Sequence, residues 1–215
     1  MDDTKVDVGD LLAALAEQLR ENKVTALSAI VILIAGNLAL DKYSSTSFAP
    51  AGFLSLAMQI FVTRGALQRT GLIGSKAPAK FLSLWGMTIV SSIAILLGCV
   101  LLLLPGIYLA ARWMIAAPAI IGEDLSAGAG MRESWERTRD SVWPIAGALV
   151  IVVGGGFVAA MIPVMVYGEG QEPSIATAIG YLLAFTGSVS GWLMAVGAYQ
   201  MLSGHGQDEL AEVFA

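Results

Sequence analysis

Charged side chains are scarce in this chain. They make up 13% of its 215 residues, about half the fraction usual in soluble domains. There is one cysteine and one histidine. A single Cys99 excludes an intrachain disulfide, and its place in the middle of an apolar run marks it as an inert, packed thiol. His205 follows Gly204 in a polar tail with no His or Cys beside it, which excludes a zinc site of three or four ligands there. Twelve basic against seventeen acidic residues leave a net charge of −5, so nucleic acid is not an expected partner. Motifs of chemistry are missing as well. Val189 stands where a nucleophile elbow needs serine in Gly187-Ser188-Val189-Ser190-Gly191. Gly71 to Lys76 lacks the Gly-Lys adjacency of a phosphate loop, and Gly128-Ala129-Gly130 lacks the third glycine of a dinucleotide fingerprint. Glu123 and Asp124 are adjacent, so on a helix they point about 100° apart and make a poor acid–base pair. No catalytic residue, metal ligand or cofactor is expected.

What is present is apolar. Hydrophobic residues make up 56% of the chain and the mean hydropathy is +0.74. They fall into six blocks, 24–40, 48–63, 81–104, 106–122, 143–166 and 174–202. A bilayer core about 30 Å thick takes roughly 20 helical residues, a length that the second and fourth blocks only just approach. Inside lipid the backbone must satisfy its own hydrogen bonds, so each block is predicted to be a helix. The blocks are continuous rather than alternating, which argues against a membrane barrel. The predicted fold is therefore all-α: a polytopic membrane helix bundle of six transmembrane helices plus amphipathic interfacial helices. Residues 1–23 form a cytoplasmic amphipathic segment, 24–202 the six-span membrane domain and 203–215 a cytoplasmic tail. The first block starts late, after the acidic opening Asp2, Asp3, Asp7 and Asp10, and exceeds a signal-peptide core, so it is expected to stay as the first span.

The basic residues set the orientation. With both termini cytoplasmic, one face carries Lys5, Arg20, Lys23, Arg64, Arg69, Lys76, Lys80, Arg132, Arg137 and Arg139, and the other only Lys42. Short loops rich in Lys and Arg stay in the cytoplasm. Six spans is the simple count that gathers these clusters. The outer connections are then 41–47, a tight Pro105-Gly106 turn, and 167–173.

Each cytoplasmic segment is expected to feed a two-span hairpin. In 7–23, Val8, Leu11, Leu12, Leu15 and Leu19 follow helical spacing on one face. Further on, Met131, Trp135, Thr138 and Val142 line one face, with Arg132, Glu133, Glu136, Arg137 and Arg139 elsewhere. Helices of this kind lie in the membrane interface. The middle segment, 68–80, holds Gly71, Gly74 and Pro78, so any helix there is short or broken. The pattern reads either as three copies of one unit or as ordinary amphipathic linkers. Gly180, Ala184, Gly187 and Gly191 form a small-residue stripe that lets helices approach closely, within the chain or between two copies.

Arg112 is the one basic residue inside a block. A central arginine costs about 2.5–3.5 kcal/mol on insertion scales. Either it snorkels to the outer headgroups beside Trp113, or it faces inward and grips a lipid phosphate or a polar partner between helices. Glu123, eleven residues on, lies about 16 Å further along a helix and cannot pair with it directly.

From Leu104 onward a pattern emerges: Pro105-Gly106-Ile107-Tyr108-Leu109, Arg112-Trp113, Pro118, Glu123, Ser134-Trp135, Thr138-Arg139 and Trp143. It resembles a bacterial family, the membrane domain of glycerophosphoryl diester phosphodiesterases and related stand-alone proteins of unknown role. Asp140 stands where that family commonly has glycine. The resemblance implies a six-span bundle in the bacterial cytoplasmic (inner) membrane, multi-pass, with a short fourth span. It carries over no hydrolase activity, which in relatives belongs to a separate soluble barrel. The expectation is a non-catalytic membrane protein that organises envelope or lipid, or docks a partner, with membrane lipids, a protein partner or a second copy as its contacts. A small transporter or channel is the alternative, and an intramembrane lipid enzyme the third reading.

Overall fold

The computed structural model describes residues 6–43, 48–74, 80–167 and 175–213. Among them every regular element is a helix: α1 Val8–Glu21, α2 Lys23–Tyr43, α3 Phe48–Arg69, α4 Phe81–Leu101, α5 Leu103–Arg112, α6 Ala116–Gly122, α7 Ala127–Arg137, α8 Val142–Leu149, a π-helical turn Val150–Gly154, α9 Gly155–Tyr167, and α10 Ile175–Val213.

Among the described residues five stretches are long and apolar enough to cross a membrane: Lys23–Lys42, Phe81–Leu101, Leu103–Gly122, Val142–Pro163 and Ile175–Ser203. The expected second span differs from these. α3 has the length, 22 residues or about 33 Å, but Pro50, Gly52, Gln59 and Arg64 dilute its hydropathy. The expected fourth span is a broken helix. α5 stops at Arg112, a turn follows, and α6 resumes at Ala116. The expected Pro105-Gly106 turn is also displaced. The chain reverses at Leu102, which is extended, and Pro105 sits in the first turn of α5, where a missing N–H costs nothing. Gly98 and Gly106 then bring α4 and α5 into backbone contact, and a side chain on Gly106 would strike Cys99. The tail 203–215 is not simply a polar end, since α10 runs on to Val213.

Buried side chains gather at one end of the bundle. They include Ala26, Ala29 and Leu33 of α2, Val62, Ala66 and Leu67 of α3, and Leu84 and Met87 of α4. α6 is almost wholly buried, and the stretch 189–199 of α10 is surrounded on nearly all sides. This is the end where α1 and α7 lie. The opposite halves of α4, α9 and α10 present Ile93, Leu96, Val100, Phe157, Met165 and Ile175 outward, as a lipid-facing surface requires.

The two amphipathic helices are docked on protein. Asp7 caps α1 through a capping box with Asp10. Its face buries Leu11, Leu15 and Gln18, Ala14 seats on Gly197 of α10, and Val8 lies near Gly147 of α8. The apolar face of α1 that helical spacing assigned to the membrane interface therefore meets α10 and α8. The middle basic segment shows no helix over 70–74, and 75–79 lies outside the described residues.

The small-residue stripe of α10 packs within the chain. Gly187 meets Gly156 of α9, where an added Cβ would sit 3.2 Å from the Gly156 Cα and from the Val152 carbonyl. Gly180 faces the Ala160 carbonyl and Gly191 faces Val153. Gly187→Leu is therefore expected to lower stability in detergent by about 1–3 kcal/mol through overpacking. Gly155 has open space around its Cβ direction, so Gly155→Ala should raise stability by about 0.5–1 kcal/mol. Thermal unfolding of the two variants checks both signs.

Candidate functional site

The break between α5 and α6 creates the site. A helix that ends leaves its last carbonyls without N–H partners, and here the end is buried. The Ala116 N–H turns to the Trp113 carbonyl at 3.1 Å, leaving the Arg112 carbonyl free. Ser134 Oγ of α7 takes it, donating at 2.7 Å; the hydroxyl of Thr138, the residue that caps α7, lies 3.3 Å from the same oxygen but 2.7 Å from the Ser134 carbonyl, its nearer acceptor. Ser134 and Thr138 are fully buried. Gly130 precedes them by one turn on the same face, against Ile120, so the buried face of α7 is Gly-Ser-Thr rather than an apolar stripe.

The exchange runs the other way too. α7 tightens at its own end, with the Arg139 N–H donating to the Glu136 carbonyl at 3.2 Å. This frees the Trp135 carbonyl, which accepts from Arg112 Nη1 at 2.9 Å. Arg112 Nε donates to the Tyr108 hydroxyl at 2.9 Å. The guanidinium lies 4.6 Å from the Trp135 ring centre and 5.3 Å from that of Tyr108, within cation–π range. Trp113 packs on Trp135 at 6.2 Å and Trp143 on Tyr108 at 6.3 Å. Two helix C-termini, each with partial negative charge, thus converge on one cation. Arg112 is 8% exposed. A snorkelling head group would be in headgroup water; this one is bonded to α5 and α7.

Arg112 and Trp113 therefore share one cluster with Trp135, and Glu123 belongs to another. Glu123 Oε1 accepts from Arg137 Nη1 at 2.6 Å and from the Tyr199 hydroxyl at 2.8 Å. Arg137 Nε also bonds Glu133 at 2.8 Å, and Nη1 bonds Ser203 Oγ at 2.9 Å. Burial disfavours the charge on Arg137, but the hydrogen bonds and charges of Glu123 and Glu133 outweigh it and hold the guanidinium above its ordinary pKa. This cluster ties α6 and α7 to α10. Asp124 follows with φ 57° as the left-handed residue of a Schellman end, with the Leu125 N–H on the Ile120 carbonyl. Its carboxylate holds Lys80 at 2.7 Å, fixing the start of α4. Of the other expected interfacial residues, Arg132 pairs loosely with Glu136 at 3.8 Å and Arg139 is exposed.

A third polar contact secures α1. Gln18 is 3% exposed; its amide donates to Gln200 Oε1 at 3.0 Å and its Oε1 accepts from Asn22 at 3.2 Å. Gln18, Ser134, Thr138 and Tyr199 were not legible as site residues. The available signal for Ser134 and Thr138 was spacing: with Gly130 they recur every four residues.

A sequence profile of the membrane domain of glycerophosphoryl diester phosphodiesterase matches residues 86–197, more than half of the chain. The chain belongs to this family. No curated protein and no solved structure matches it. The family stretch contains the whole Arg112 cluster and the Glu123–Arg137 pair. α1, α2 and α3 lie outside it, as do Tyr199 and Ser203. Within this membrane domain, Arg112→Leu is expected to leave the Trp135 carbonyl and Tyr108 hydroxyl unpaired, costing about 1.5–3 kcal/mol for each charged hydrogen bond lost. Arg112→Lys keeps the charge but not the two-directional fork, so it should fall between Arg112→Leu and wild type. Ser134→Ala and Thr138→Val together should cost more than the sum of the two singly, because in Ser134→Ala the Thr138 hydroxyl can turn from the carbonyl of residue 134 to that of Arg112, 3.3 Å away, and only the double variant orphans the Arg112 carbonyl. Unfolding curves of the four variants and the double mutant test this; additivity would show that the carbonyl has another partner.

Proposed function

We propose that this protein is a non-catalytic scaffold of the bacterial cytoplasmic membrane, with six spans and both termini inside, that organises lipid or holds a partner. The sixth crossing is α3. It is long enough to span and packs between α2 and α10, both of which contain candidate spans. With α3 crossing, the basic segments fall on one side.

One observation supports the reading against transport: Asn37, Gln200 and Arg112, three of the polar side chains that a pathway would string together, each have a hydrogen-bond partner of their own. Asn37 donates to the carbonyl of Leu33 one turn back at 2.8 Å. Gln200 bonds Gln18, and Arg112 bonds Tyr108 and Trp135. None of these bonds links one of the three to another. The bonds of Gln200 and Arg112 rigidify the basic end, while the opposite halves offer lipid a broad apolar surface.

Cysteine accessibility in intact cells tests the topology. Ser45→Cys and Gln171→Cys, in segments outside the described residues, should label with an impermeant reagent. Glu136→Cys, on the exposed side of α7, should not. Ser134 is unsuitable as a probe because it is buried. External labelling of Glu136→Cys would overturn the six-span arrangement. Proteoliposomes should hold a proton or chloride gradient as long as protein-free vesicles, and a protein-dependent leak would put a transporter or channel in place of the scaffold. Turnover of a glycerophosphodiester by the purified protein would replace it with an enzyme.

A further inference from the structure

α9 and α10 are pressed together by their glycines, and beside that contact their outward surfaces leave a groove of about 400 Å³. Its floor is made where Gly180 meets the Ala160 carbonyl, an added Cβ falling 3.2 Å from the oxygen. Backbone lies at the bottom, so no side chain fills the groove from within. Phe157, Met161 and Met165 form one wall, with Thr177, Tyr181 and Ala184 on the other side. Phe157 and Met165 are largely exposed, and methionine adapts its shape readily to an apolar occupant.

The dimensions and polarity indicate what lies there. Phe157 to Met165 is a rise of eight residue steps and Thr177 to Ala184 of seven, so the groove runs for about 10–12 Å along the helices. One leaflet of a bilayer core is about 15 Å deep, half of about 30 Å. The groove begins close to the ends of α9 and α10 that join through 168–174, and from there descends most of one leaflet. Apart from the Ala160 carbonyl on the floor, its polar groups lie toward that mouth. Thr177 is there, and the Tyr181 hydroxyl bonds Asp41 at the end of α2 at 2.5 Å. The deeper end, at Phe157 and Ala184, is apolar. This order, polar above and apolar below, is that of a phospholipid from its ester linkage down one chain.

We propose that the groove seats one acyl chain of a phospholipid from the leaflet on the side of the 168–174 connection, retained rather than exchanging with the boundary lipid. The inference deepens the lipid-organising part of the proposed function and rests on it. The topology and gradient measurements are independent of it, so failure here is distinguishable from failure there.

The test uses the full chain in vesicles of phosphatidylethanolamine and phosphatidylglycerol doped with a phosphatidylcholine carrying a diazirine midway along one chain. After illumination, labelled peptides are mapped by mass spectrometry. Label on α9 and on 175–187 of α10 is expected to exceed that on the comparably exposed face of α4, at Ile93, Leu96 and Val100, by about tenfold. Ala184→Phe closes the deep end and should lower groove labelling by about tenfold while leaving α4 labelling unchanged. Thr177→Phe closes the mouth and should do the same, so a folding defect in one variant leaves the other as the test. Equal labelling of the groove and of α4 would show boundary lipid only and overturn the proposal. Unchanged groove labelling in a folded Ala184→Phe or Thr177→Phe would overturn it equally.

Discussion

A helix that stops inside an apolar bundle must find partners for carbonyls that water cannot reach. In this protein two helices, α5 and α7, stop at the same place, and each supplies what the other lacks. The hydroxyl of Ser134 takes the carbonyl of Arg112, with that of Thr138 beside it on the Ser134 carbonyl, and the guanidinium of Arg112 takes the carbonyl of Trp135. The arrangement accounts for the fully buried hydroxyls, for the small face of α7, and for an arginine inside an apolar block. It also permits α6 to turn away from α5 and enter the core, where Glu123 reaches Arg137 and Tyr199.

From that junction follows an asymmetric bundle. The cluster centred on Arg112 fastens α5 to α7, and those centred on Arg137 and Gln18 fasten α6, α7 and α1 to α10 at one end. At the other end, contact rests on close backbone approaches at Gly98–Gly106 and Gly156–Gly187. In lipid there is no hydrophobic drive to close that end further, because acyl chains are as apolar as the side chains they would replace. A rigid polar end and an open apolar end suit the proposed scaffold, which would have to hold its place and still offer lipid a shaped surface.

The apolar blocks were legible because hydropathy over twenty residues is a local property, and α2, α4 and α10 lie where they were expected. The close contacts of Gly180, Gly187 and Gly191 were legible as a stripe, though the partner helix was not. α3 reads differently in the two descriptions, since its length spans a bilayer while Gln59 and Arg64 lower its hydropathy. Pro105 and Gly106 looked like a turn by residue type. The first turn of a helix suits them as well, and the backbone contact with Gly98 selects that second use.

Sequence alone determined the solvent of this protein, its helical class and its family resemblance, because each depends on composition or on neighbours along the chain. Tertiary structure decided the rest. Whether Arg112 faces headgroups or a helix end depends on where α7 lies, and that is set by contacts 22 to 26 residues away. Whether the leucine face of α1 meets lipid or protein depends on Gly197 leaving room for Ala14. Glu123 finds its partners in Arg137 and in Tyr199, 76 residues on. A charge in a low-dielectric interior is placed by the partners that satisfy it, and no spacing along the chain shows which they will be.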